Sequence, residues 1–151
     1  MRAQPFIFHF HLTKNKISDC MENSFSENQW DSKKLLIAED EDSNYKYLEI
    51  VLRKTGIEIF RAHNGLEAIE ITKKHPGIDL VLMDVKMPEM NGLEATKEIK
   101  KMNGYIPVIA LTAYAMANDR EMSLNAGCDD YISKPVRKHM IYSMLHKYLD
   151  D

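Results

Sequence analysis

Asp84 closes the apolar run Leu80-Val81-Leu82-Met83 and is followed by Val85-Lys86-Met87-Pro88-Glu89-Met90-Asn91-Gly92. A carboxylate at the tip of a fully apolar strand, entering a Pro/Gly turn, is held rigid behind and open in front, as a nucleophile or metal ligand must be. Three other short apolar runs end in groups of matching chemistry. Leu35–Ala38 runs into Glu39-Asp40-Glu41, Val108–Leu111 into Thr112, and Tyr131-Ile132 into Lys134. Taken singly, each has an ordinary explanation as a turn acid, a solvated acidic loop, a strand-end hydroxyl or a surface lysine. Their convergence is what carries chemistry. Two carboxylates about 4 Å apart repel by about 4 kcal/mol at an effective dielectric near 20, so an acidic cluster calls for a cation. A hard divalent ion such as Mg²⁺ suits a few carboxylate oxygens and keeps waters for a phosphoryl group. Lys134 offers a point charge and Thr112 a hydroxyl donor for phosphoryl oxygens. An ionised Asp84 could then attack phosphorus and become an aspartyl phosphate.

The elements that must gather these groups are visible in the patterning from Lys33 onward. Short apolar runs at Leu35–Ala38, Ile57–Phe60, Leu80–Met83, Val108–Leu111 and Tyr131-Ile132 lack a period of two, which predicts strands buried on both faces of a parallel sheet. Between them lie amphipathic stretches. One from about Ser43 to Lys54 stops at Gly56, and the last carries Met140, Ile141, Met144, Leu145 and Tyr148 on one side. Repeated β-then-α units predict an α/β doubly wound sheet with helices on both faces, and ligands in such sheets bind at the carboxyl ends of the strands. The second run ends in Arg61-Ala62-His63-Asn64 and offers that site no evident group.

The bulk composition excludes several classes. The 151 residues suffice for one domain plus an appendage, and a net charge of −3 indicates neither a nucleic-acid footprint nor an acidic tail. Cys20 and Cys128 have no metal-type spacing and read as reduced thiols. No apolar stretch approaches the roughly 20 residues needed to span a bilayer, and Phe6–Leu12 lacks the features of a signal peptide, so a cytoplasmic protein is expected.

The four stretches at 35–41, 81–92, 107–113 and 131–135 (LLIAEDE, VLMDVKMPEMNG, PVIALTA and YISKP) together resemble the receiver domains of two-component response regulators. The resemblance spans the chain from about Lys33 to its end. It implies a flavodoxin-like five-stranded parallel sheet in the order 2-1-3-4-5, with Asp84 as phosphoacceptor and Lys134 as the phosphate-binding lysine. It implies a Mg²⁺ site formed by Glu39, Asp40, Asp84 and the backbone carbonyl of Lys86, and a switch pair of Thr112 and Tyr131. A cis bond at Lys134–Pro135 is also implied. Glu39 departs from the commoner aspartate, a replacement found among receivers attached to kinases. Lys86 and Tyr114, two residues beyond Asp84 and Thr112, border the water route to the phosphate and bear on the lifetime of the phosphorylated state.

Residues 1–32 read as an N-terminal extension and linker, with 33–151 as the receiver domain. Phe6, Phe8, Phe10 and Leu12 alternate like a strand, and this segment resembles the closing strand of a histidine-kinase ATP-binding domain. Trp30-Asp31-Ser32-Lys33-Lys34 resembles the linker into a kinase-fused receiver. The expected role is a phosphoacceptor in a phosphorelay, served by a histidine kinase or histidine phosphotransfer protein. It is a signalling domain that assists its own phosphorylation and dephosphorylation, not an enzyme with a diffusible substrate. The second reading is a free-standing regulator that binds a target protein, or a second copy of itself weakly, when phosphorylated. Neither nucleic acid nor membrane is an expected partner.

Overall fold

The computed structural model describes residues 27–113 and 117–150. Its strands are β1 (Lys34–Ala38), β2 (Glu58–Ala62), β3 (Leu80–Asp84), β4 (Val108–Thr112) and β5 (Asp130–Ser133). They form one parallel sheet in the order β2-β1-β3-β4-β5. The intervening helices are α1 (Asp42–Leu52), α2 (Gly65–Lys74), α3 (Gly92–Met102), α4 (Ala117–Asn125) and α5 (Lys138–Leu149). The architecture is the flavodoxin-like α/β sheet that the sequence led us to expect.

The uninterrupted apolar runs are explained by what each face of the sheet meets. Successive side chains of a strand point to opposite faces. Leu35, Ile37, Leu80, Leu82, Ile109, Leu111 and Ile132 pack with Leu48 and Leu52 of α1 and with Ile141, Leu145 and Leu149 of α5. Their neighbours Leu36, Ala38, Val81, Met83, Val108 and Ala110 pack with Ala68 of α2 and with Ala95 and Ile99 of α3. Both faces are dry, so no polar position interrupts the central strands. Helix α4 contributes little to either cluster. Its one buried residue is Ser123, while Met122 and Leu124 are exposed.

Element boundaries shift modestly from the sequence reading. The first helix gives way after Leu52 to a 3₁₀ turn over Arg53–Thr55, where the Thr55 hydroxyl donates to the Leu52 carbonyl at 2.6 Å. Gly56 then turns the chain at φ +75°, a left-handed conformation that suits glycine. Strand β2 runs on to Ala62 because it stays in register with β1 up to the pair Ala38–Ala62.

Trp30, assigned by sequence to the linker, is 2% exposed and belongs to the core cluster formed with α1 and α5. Its amide donates to the Thr55 carbonyl at 3.0 Å and its indole Nε1 to Asp150 Oδ1 at 3.0 Å. The ring lies 6.0 Å from that of Tyr142 and 5.0 Å from that of His146, edge-on to the latter. An amphipathic indole with its N–H satisfied is an apolar plug, so the packed unit begins ahead of Lys33. The alternating segment Phe6–Leu12 and the Cys20 thiol lie outside the described residues. Among the described residues no helix is long and apolar enough to cross a membrane.

Candidate phosphoacceptor site

Asp84 is the last residue of β3 and is buried to 5% exposure. The sheet continues one step past it, with Val85 N–H donating to the Leu111 carbonyl at 3.1 Å. The turn beyond is drawn tightly back, for Gly92 N–H donates to the Val85 carbonyl at 2.9 Å. A Cβ at Gly92 would overlap the Asp84 carbonyl oxygen, so the start of α3 can lie against the strand end only as glycine. Asn91 caps that helix by accepting from Glu94 N–H at 2.9 Å. Asp84 is thus fixed from behind, from above and through its own side chain, whose Oδ1 accepts the Lys86 N–H at 3.2 Å.

The other oxygen of Asp84 meets a cation from the far side of the sheet. Lys134 follows β5, and its Nζ lies 2.9 Å from Asp84 Oδ2 and 3.4 Å from Glu39 Oε2. The Lys134–Pro135 bond is cis. Burial alone would depress the lysine pKa, but the hydrogen bond and charge of Asp84, joined by Glu39, outweigh it and raise it.

Glu39 follows β1, with its N–H donating to the Ala62 carbonyl at 3.0 Å and its Oε1 accepting Glu41 N–H at 3.0 Å. It is 1% exposed. Burial pushes its pKa up from 4.5 to about 7; Asp84's charge adds to the rise, while the Glu41 amide and Lys134 oppose it. Asp40 beside it is exposed, and oxygens of Glu39, Asp40 and Asp84 all lie within 4.8 Å of one another. One lysine does not balance three such acids. A hard divalent cation fits this all-oxygen donor set and corrects the charge.

Together these groups line a cleft of about 370 Å³ that also receives Lys86, Thr112 and Ala113. Thr112 ends β4, is 4% exposed and pairs in register with Ser133. Tyr131 is not brought into the cleft. It is half-buried on a separate groove formed by α4, β5 and α5, with the Arg120 guanidinium 5.5 Å from its ring centroid. Tyr114 lies outside the described residues.

Two contributions had no evident signal in the sequence. Asp119, Met122 and Ser123 of α4 reach the cleft wall, which depends on how that helix is laid across the strand ends. Arg61, at the end of the strand judged to offer nothing, extends over the acidic loop, its Nη2 2.6 Å from Asp42 Oδ1 and 3.4 Å from the Glu39 carbonyl oxygen.

The comparisons agree with this geometry. The family model for the response regulator receiver domain matches residues 35–146. The chain is 37% identical over 130 residues to hybrid signal transduction histidine kinase I of Dictyostelium discoideum, covering 78% of this chain but only 8% of that kinase. It is 40% identical over 121 residues to the polar-differentiation response regulator DivK of Brucella anthropi, covering 79% of this chain and 98% of that protein. Among solved structures, one similar chain comes from the Saccharomyces cerevisiae co-crystal of the histidine phosphotransfer protein Ypd1 with the receiver domain of its response regulator Ssk1. There the identity is 34% and the TM-score 0.72, covering 77% of this chain and 88% of that one. Another is the receiver domain of a Pseudomonas aeruginosa sensor histidine kinase, solved with magnesium coordinated in its active-site cleft. It has 31% identity and a TM-score of 0.72, over 79% of this chain and 98% of that one. An acid at the tip of the central strand, a lysine from the last strand clasping it and an acidic pair from the first are thus joined to a family match over most of the chain. On these grounds the chain belongs to the response regulator receiver domains, the phosphoacceptor modules of two-component and phosphorelay signalling.

Proposed function

We propose that Asp84 is the phosphoacceptor and that its donor is the phosphohistidine of a histidine kinase or histidine phosphotransfer protein. The observation that carries this reading is the placement of Lys134 Nζ 2.9 Å from Asp84 Oδ2 at the floor of an acidic cleft. An Asp84 carboxylate oxygen attacks phosphorus. The new O–P bond forms as the P–N bond to the donor imidazole breaks, and the imidazole leaves with the electron pair. Lys134, already held at the carboxylate, transfers its ion pair to a phosphoryl oxygen. The Thr112 hydroxyl donates to another, and the Lys86 amide remains beside the acyl phosphate. Glu39, Asp40, Asp84 and the Lys86 carbonyl would hold Mg²⁺, which when bound neutralises phosphoryl charge. The same groups assist water in removing the phosphoryl group. The co-crystal of a similar receiver with its histidine phosphotransfer protein supports a partner of that class. The cytoplasm is the expected location, and residues 1–32 are read as an N-terminal extension and linker whose start resembles a strand of a kinase ATP-binding domain.

We further infer that phosphorylation draws Thr112 toward the phosphoryl group and lets Tyr131 turn inward from its place beside Arg120, altering the α4-β5-α5 surface. Incubation with acetyl phosphate and Mg²⁺ should add one base-labile phosphoryl group to the wild-type chain and none to Asp84→Asn. Modification retained by Asp84→Asn on another side chain would remove Asp84 from the role.

A further inference from the structure

Four acids in succession, Glu39-Asp40-Glu41-Asp42, lead from β1 into α1, and something must hold them in one conformation. Helix α1 lacks the device that fixes its neighbours. Asn64 caps α2 and Asn91 caps α3 through their side chains, whereas Glu41 at the start of α1 makes no side-chain cap hydrogen bond. Beyond the Ser43 and Asn44 side-chain bonds to the Glu41 carboxylate and the Glu41 N–H bond to Glu39 Oε1, a further tie comes from the adjacent strand.

The Arg61 side chain, 19% exposed, leaves the end of β2 and crosses over this loop. Nη2 donates to Asp42 Oδ1 at 2.6 Å and to the Glu39 carbonyl oxygen at 3.4 Å. Its guanidinium carbon lies 4.3 Å from the centroid of the Tyr45 ring, one turn into α1. Nε is buried with no hydrogen-bond partner among the described residues. A buried donor left unpaired is unfavourable. The side chain is therefore held in place by its other contacts, the Asp42 carboxylate and the Tyr45 face. Meanwhile Glu39 N–H donates to the Ala62 carbonyl at 3.0 Å, so residues of β2 bind both the N–H and the carbonyl of Glu39.

We propose that Arg61 is a positioning residue for the metal-binding acidic loop. By bridging the Glu39 carbonyl, Asp42 and Tyr45 it fixes the backbone that presents Asp40 and aims Glu39 into the cleft. The inference rests on the reading of Glu39, Asp40 and Asp84 as the Mg²⁺ site. It assigns β2 a part in that site although none of its side chains is itself a ligand.

The charge of Arg61 makes the proposal sharply testable. A cation beside a cation site opposes binding, so an arginine that acts only through its charge would give tighter Mg²⁺ binding when neutralised. A positioning residue gives the opposite sign, since removing partners that orient ligands typically weakens metal affinity about 10–100-fold. Calorimetric titration of Mg²⁺ into the full chain should show binding by the wild type and roughly 10-fold weaker binding by Arg61→Gln. Arg61→Lys keeps the charge but loses the planar fork, and should also bind more weakly than wild type. Urea unfolding of the metal-free proteins, run alongside, separates a purely structural role. A fall in stability with an unchanged Mg²⁺ dissociation constant overturns the proposal, as does tighter binding by Arg61→Gln. Should Arg61→Gln fail to fold, Arg61→Lys decides, and wild-type affinity in that variant overturns the proposal. Absence of Mg²⁺ binding by the wild type instead defeats the site reading itself, and the positioning role falls with it.

Discussion

Glu39→Gln should stabilise the metal-free protein at neutral and alkaline pH while weakening its response to Mg²⁺. In the folded chain the Glu39 pKa rises from 4.5 to about 7, chiefly through burial and then through the charge of Asp84. Between those two values the native state holds a proton that the unfolded state has released. The stabilising contribution is therefore complete below pH 4.5 and is lost as pH rises through about 7. The span from 4.5 to about 7, at about 1.4 kcal/mol per pH unit, sets a ceiling of roughly 3 kcal/mol on the loss. Glutamine keeps an acceptor for the Glu41 amide but does not ionise, so its stability curve lacks this fall. The ion pair with Lys134 at 3.4 Å is already reflected in the value of about 7, so the gain expected for glutamine at pH 8 is about 2–3 kcal/mol. Urea unfolding in EDTA at pH 5, 6, 7 and 8 should show the two proteins alike at about pH 5 and diverging upward in favour of Glu39→Gln. Saturating Mg²⁺ should stabilise the wild type more than the variant, because binding to the native state adds to its stability. Parallel pH curves for the two proteins would refute the claim that burial raises the Glu39 pKa.

Other perturbations test separate parts of the structure. Lys134→Met leaves Asp84 and Glu39 without their cation and should cost about 2 kcal/mol in EDTA at pH 8, below the usual range for buried pairs because Lys134 is 26% exposed; added Mg²⁺ should recover most of this. Trp30→Ala should destabilise the domain by about 3–5 kcal/mol in urea unfolding. A chain beginning at Lys33 should be less stable than one beginning at Glu27. Beryllofluoride should shift amide resonances in α4, in α5 and around Tyr131, and Thr112→Ala should suppress those distant shifts. Shifts confined to the acidic cleft in the wild type would reduce the domain to a passive phosphate store.

The central strands were legible because burial on both faces leaves no choice of residue. Leu35–Ala38, Leu80–Met83 and Val108–Leu111 are apolar without interruption, and their ends carry the site acids and Thr112 where the chain leaves the sheet. Gly56 marked a helix stop that the structure places at positive φ. Helix ends were less legible, since the 3₁₀ turn at Arg53–Thr55 depends on the Thr55 hydroxyl bond and on contacts with residues 28–30.

The sequence by itself determined which groups stand at strand ends, because strand periodicity and the punctuating turns are local properties. It did not determine the order of the strands from composition or spacing; that order came with the family likeness. Only the tertiary structure decided which groups touch. Lys134 reaches Asp84 across 50 positions of sequence, Arg61 reaches Asp42 across 19, and Trp30 reaches Asp150 across 120. No local pattern encodes such pairings, since each depends on where separate elements are laid against one sheet. The same limit hid the ionisation of Glu39. Nothing in the triplet Glu39-Asp40-Glu41 distinguishes the buried acid from the exposed ones. The packing of β1 between β2 and β3 removes water from Glu39 alone, and desolvation then sets its pKa.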